Sequence, residues 1–152
     1  MIREFDEKGL MISSQQGNLF MESINTFSGS SYSFIKTFMN SDIVMNIDNT
    51  NEINTSSIIE DLNKYKSIKR GNIKMNPDVI YWIGYIYRYW AYVYNESSKR
   101  IYEIADAKQM ERIYEPYHTM DPRKAIERIY EDNNISIEID QVSLMRKIIF
   151  GK

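Results

Sequence analysis

With no cysteine and a single histidine among 152 residues, this chain has little of the usual equipment for chemistry. Without cysteine there is no thiolate nucleophile, thiolate zinc site, iron–sulfur cluster or disulfide. His118 alone falls short of the several ligands a catalytic zinc site requires. His118 with Asp121 nearby has the composition of a general base and its orienting carboxylate. Thr119 and Asp121 at a helix start explain their own presence as capping groups, and that structural reading is preferred. The six glycines are scattered, and Ser28-Gly29-Ser30 lacks the lysine and threonine pattern of a phosphate-cradling loop. No catalytic, cofactor-binding or metal-ligating residue is assigned, and the expectation is a protein that is not an enzyme and uses no cofactor.

Recognition chemistry is better supplied. The stretch VIYWIGYIYRYWAYVY, residues 79–94, holds both tryptophans and six of the twelve tyrosines. Arg88 lies inside it, and a guanidinium there must pair with a carboxylate or carbonyl of its own chain, stack on a ring, or face a groove and contact a partner. Tyr, Trp and Arg also dominate interface hot spots. Arg88 with Tyr85, Tyr89 and Tyr92 is therefore the first candidate for a partner-binding surface or for the support beneath one. Tyr117 and His118 form the second.

These residues need elements to hold them. Asn76-Pro77 is a helix start, since the amide caps free N–H groups and proline lacks the donor that would go unpaired. The helix is predicted to reach Tyr94, with Val79, Ile83, Ile86, Trp90 and Val93 at helical spacing. Apolar or aromatic on every side, it must be surrounded. Ser97-Ser98 predicts a short helix through about Ala105. Asp106, with Gln109 three positions on, predicts another that ends near Pro116. Asp121-Pro122 opens a further helix with Ala125, Ile126, Ile129 and Tyr130 on one face, where Arg123 and Glu127 can pair across a turn.

The first half predicts a helical segment over 10–27 and a helix from near Ser31 that carries Phe34, Ile35, Phe38 and Met39, followed by Ile43, Val44 and Ile47. Residues 46–57, rich in Asn, Thr and Ser, predict a loop before a helix opened by Ser57 and Glu60. Lys69 to Asn76 reads as a joint. Ile135, Ile137 and Ile139 alternate with polar residues, a strand pattern that needs a mate: Met145 to Phe150, a second protomer, or a protein partner. The expected fold is mainly α, a compact helical bundle around the central aromatic helix with a small C-terminal β element. It forms one domain over 1–152, with a helical part at 1–48, loop, helix and joint at 49–76, an aromatic core at 77–131 and an extension at 132–152.

Charge names no partner. Nineteen basic and 21 acidic residues give a net charge of -2, and neither side of Pro77 is polarised. The apolar stretch 79–94 is shorter than the roughly 18 residues of a bilayer span and carries Arg88. Glu4, Asp6 and Glu7 stand where a signal peptide has a basic start. The expectation is a cytoplasmic protein without membrane attachment.

Four stretches, FIKTFMNSDI at 34–43, YWIGYIYRYW at 81–90, SSKRIYEIA at 97–105 and YHTMDPRKAIERI at 117–129, resemble small bacterial antitoxin-like proteins encoded beside a toxin of ADP-ribosyltransferase type. Taken broadly as 34–47 and 79–131, the resemblance covers 67 of the 152 residues in order. It does not extend to the amino-terminal residues, the Asn-rich stretch or the chain after Asp132. It implies an antitoxin that binds and inhibits a cognate toxin, with self-assembly open. The alternative is a DNA-binding regulator using the 98–117 helix pair, with Lys99, Arg100, Lys108 and Arg112 at phosphates, interspersed with Glu103, Asp106, Glu111 and Glu115. Removal of ADP-ribose would require a nucleotide pocket and a positioned acid or base, for which the sequence offers no pattern.

Overall fold

The computed structural model describes residues 2–65, 71 and 73–135. Among them the chain is helical, with no strand. In order the elements are α1 (Glu7–Thr26), α2 (Ser31–Met39), α3 (Asp42–Thr50), α4 (Ile58–Asn63), α5 (Pro77–Tyr94), α6 (Ser98–Ile104), α7 (Ala107–Tyr117) and α8 (Pro122–Asp132). Apart from Ile135, which packs against the core, the expected C-terminal β element lies outside the described residues.

Local capping sets most boundaries. Asn76 Oδ1 accepts from the Asp78 N–H at 2.8 Å ahead of Pro77, and Asn95 closes α5 in the left-handed region at φ 51°. Ser97, Asp106 and Asp121 cap α6, α7 and α8 as expected, and α7 ends one residue past Pro116. The apolar run from Phe34 to Ile47 is broken at Ser41, whose hydroxyl accepts from the Val44 N–H at 3.1 Å and starts α3. The loop expected from residue 46 begins later, because α3 continues to Thr50 and Asn51 takes the left-handed conformation that ends it. Ser57 precedes α4 without making a side-chain cap. Among the described residues Arg123 and Glu127 form no ion pair; Arg128 and Glu131 do, on the surface at 3.9 Å.

One hydrophobic cluster, drawn from Ile12 near the start to Tyr130 near the end, surrounds α5. Helix α1 lies antiparallel against α5: Gly9 meets the ring of Tyr92, Gly17 the ring of Tyr81, and Gly84 the backbone of Gln16. The helices approach so closely that a Cβ at any of these glycines would stand 2.7–2.8 Å from its neighbour. Behind this contact Phe20 meets Phe34, Phe38 and Tyr87 edge to face, with centroids 5.2–6.3 Å apart. Trp90 Nε1 donates to Tyr130 Oη at 2.8 Å and ties α8 onto the same rod.

Gly84→Ala is expected to destabilise by about 1–3 kcal/mol, because its Cβ meets the Gln16 carbonyl oxygen and Phe20, both anchored in α1. Gly71→Ala, whose nearest neighbour is Ser30 Cβ at 3.5 Å, should stay within about 0.5 kcal/mol of the parent. Denaturant unfolding of the two variants measures the contrast.

Candidate functional site

Arg88 is fully buried, and its ligands come from three other helices. Its Nε donates to Gln16 Oε1 at 2.8 Å, Nη1 to Asp48 Oδ1 at 2.8 Å and Nη2 to Ser98 Oγ at 3.2 Å. Ser98 in turn donates to Asp48 through both its hydroxyl and its backbone N–H, at 2.7 and 2.9 Å. Gln16 Nε2 returns to α5 by donating to the Gly84 carbonyl at 3.0 Å. Burial pulls the guanidinium pKa below its ordinary value, while the Asp48 carboxylate acts to hold it up. With side chains 0 % and 14 % exposed, Arg88 and Asp48 form an interior tie. Arg88 therefore presents nothing to a partner on this surface; it anchors the helix that carries the rings.

Its neighbours in the sequence point elsewhere. Tyr89 is buried against Phe5 with ring centroids 4.5 Å apart. Tyr92 is buried too, its hydroxyl donating to Asp6 Oδ1 at 2.8 Å while Arg3 covers its face at 4.6 Å. Backbone and Tyr92 donors hold the Asp6 carboxyl below its ordinary 3.8. Tyr117 donates to Asp132 Oδ2 at 2.6 Å, linking α7 to the end of α8.

Tyr85 and His118, from the two candidate groups, do meet. They line a surface groove of about 440 Å³ between the first half of α5 and the α7–α8 corner. Asp78, Tyr81, Trp82 and Tyr85 recur at helical spacing on one face of α5, and Tyr114, His118, Met120 and Pro122 form the opposite wall. Tyr81 stacks beside Tyr85, Trp82 meets Tyr114 edge to face at 5.7 Å, and the His118 ring lies flat on Tyr114 at 4.2 Å. Burial raises the Tyr85 phenol above its ordinary 10.0, with Tyr81, Tyr89 and Asp121 adding to the effect.

His118 Nδ1 lies 2.8 Å from the Tyr114 carbonyl and 3.1 Å from that of Glu115. Both oxygens accept, so this nitrogen carries the proton. Asp121 instead caps α8, accepting from the Arg123 N–H at 2.9 Å, and no hydrogen bond joins it to His118 among the described residues. A His118–Asp121 proton relay is not assembled in this arrangement. Among the described residues no three His, Cys, Asp or Glu side chains gather as metal ligands would, and no helix is long and apolar enough to cross a membrane.

Sequence reasoning picked out Tyr85 and His118 but not Trp82, Tyr81 or Tyr114 beside them. The i, i+4 pairs Tyr81/Tyr85 and Tyr114/His118 were the available signal. No family model matches the chain, nor does any curated protein or solved structure.

Two outcomes are expected of this arrangement. Arg88→Ala should destabilise by about 3–5 kcal/mol, since it leaves Asp48 without its cation, and pairing Arg88→Met with Asp48→Leu should recover part of that loss in denaturant melts. The phenols of Tyr94 and Tyr130 are pushed up to about 12, chiefly by burial, from an ordinary 10.0. Raised pKa values in the fold mean that their stabilisation is complete below pH 10.0 and is lost as pH climbs toward 12. The tyrosinate absorbance that is lost on Tyr94→Phe or Tyr130→Phe should therefore appear together with loss of helical signal across that window; that same increment appearing near pH 10.0 with helices intact would contradict the burial argument.

Proposed function

We propose that this chain is an antitoxin that binds and inhibits a cognate bacterial toxin of ADP-ribosyltransferase type by covering part of its active cleft. The observation that carries the reading is the groove of half-buried Tyr and Trp rings, built largely from two of the four stretches that bear the antitoxin-like resemblance, 81–90 and 117–129. The other two stretches support the same rod: Phe34 and Phe38 pack against Phe20 beneath it, and Ser98 completes the Arg88 network. Aromatic rings held rigidly in a surface depression lose little entropy on association and supply the anchors of tight interfaces. Inhibition by contact needs no catalytic group of the antitoxin's own, and two-chain assembly is compatible with it.

A second reading, a DNA-binding regulator using α6 and α7, draws on the exposure of Lys99, Arg100, Lys108 and Arg112. Glu103, Asp106 and Glu115 are exposed among them and offset their field. The two activities can coexist in an antitoxin that controls its own operon.

Co-expression with the product of the adjacent reading frame tests the proposal. Rescue of growth together with a stable purified complex is expected, and Tyr85→Ala should weaken that complex by about tenfold or more. Absence of both rescue and complex would overturn the antitoxin reading, and steeply salt-dependent binding to the promoter alone would favour the regulator.

A further inference from the structure

The groove between α5 and the α7–α8 corner is aromatic and acidic at once. Tyr81, Trp82, Tyr85, Tyr114 and His118 contribute rings, Asp78 stands exposed at its border, and none of the described residues lining it is Lys or Arg. Ring faces carry negative potential, so rings beside a carboxylate create a field that a cation lowers and a phosphate raises. The same walls offer unspent hydrogen-bonding groups. With Nδ1 of His118 donating to backbone carbonyls, Nε2 of the neutral ring is an acceptor, and it makes no hydrogen bond among the described residues. Trp82 Nε1 is a donor that also makes none among them, and the ring is only partly buried. A donor of this kind suits the backbone carbonyl of an extended peptide, as in aromatic-lined grooves that bind such segments.

We infer that this groove captures an extended segment of the partner protein bearing an arginine or lysine, the cationic side chain lying over Tyr81, Trp82 and Tyr85 and directed at Asp78. The volume of about 440 Å³ accommodates one long side chain with its flanking backbone. The charge complementarity selects a basic peptide over nucleic acid, whose phosphates would meet a carboxylate and ring faces. This inference rests on the protein-binding reading and adds to it what the partner must present; it does not depend on the partner being a toxin.

Trp90 is fully buried whereas Trp82 is not, so a ligand-induced change in tryptophan fluorescence of the intact chain reports on the groove. The probe is an acetylated, amidated Ala-Pro-Arg-Pro-Ala peptide, compared with its citrulline counterpart of equal shape and no charge. Saturable binding of the arginine peptide is expected, with the citrulline peptide about tenfold weaker. Asp78→Asn should weaken the arginine peptide by a similar factor while the melting temperature holds, since Asn76 caps through the backbone of residue 78. Equal affinity for the two peptides, no saturable change, indifference to Asp78→Asn, or displacement of the peptide by a short DNA duplex would each overturn the inference. A complex with the neighbouring gene product that forms normally with Asp78→Asn would also overturn it and leave the antitoxin reading standing. Selective capture of the arginine peptide with no such complex would do the reverse.

Discussion

A guanidinium buried in the core, carried by a helix otherwise built of apolar and aromatic residues, is the constraint around which this chain is arranged. A buried charge left unmatched costs several kcal/mol, so α5 can occupy the centre only if acceptors are brought to Arg88 from outside it. Gln16 on α1, Asp48 on α3 and Ser98 on α6 do this, and each has to arrive at one position on one helix face. The network thus sets where three helices sit as well as satisfying one side chain. Replacing it by apolar groups of matching shape could be neutral in energy, yet it would remove the directional contacts that single out this arrangement from others of similar packing.

The close approach of α1 then decides which part of α5 is left uncovered. Gly9 and Gly17 let the aromatic helix settle onto α1 along its length, and α6, α7 and α8 cover much of the remainder. Toward the amino-terminal end of α5 the covering is incomplete. Tyr81, Trp82 and Tyr85 stay half-buried there, bordered by the α7–α8 corner instead of sealed under it. The groove is thus the part of a central apolar helix that its surroundings do not close.

Much of this was legible because it is local. Asn76-Pro77, Ser97, Asp106 and Asp121 announce helix starts through side chains that reach only two or three residues ahead, and periodicity marks the inward faces of α5 and α8. What depends on distant pairing was hidden. Arg88 clearly required a partner, but Asp48 lies forty residues away in a stretch whose Asn and Thr content suggested loop. It is helical because Val44 and Ile47 dock on the core with Ile43 packed beside them, while Asp42, Asn46, Asn49 and Thr50 face water and Asp48 turns inward to Arg88. The site divided in the same manner. Tyr85 and His118 were identifiable as residue types, whereas their meeting depends on how the α7–α8 corner folds back. The i, i+4 spacing put Tyr81 with Tyr85 and Tyr114 with His118 on shared faces, but a ring looks the same in sequence whether its face seals an interior or rims a depression. The isoleucine alternation of the C-terminal extension lies beyond the described residues.

The notches that receive Tyr81 and Tyr92 stand eight residues apart on α1, while the rings that fill them stand eleven apart on α5, with Gly84 seated between at Gln16. Two helices meshed at three levels behave like a zip with a single alignment: sliding by one turn would lift every tooth from its slot at once. Sliding along this axis is opposed because each ring would have to leave its notch. The rings on the rod keep their mutual spacing whether or not anything is resting against them.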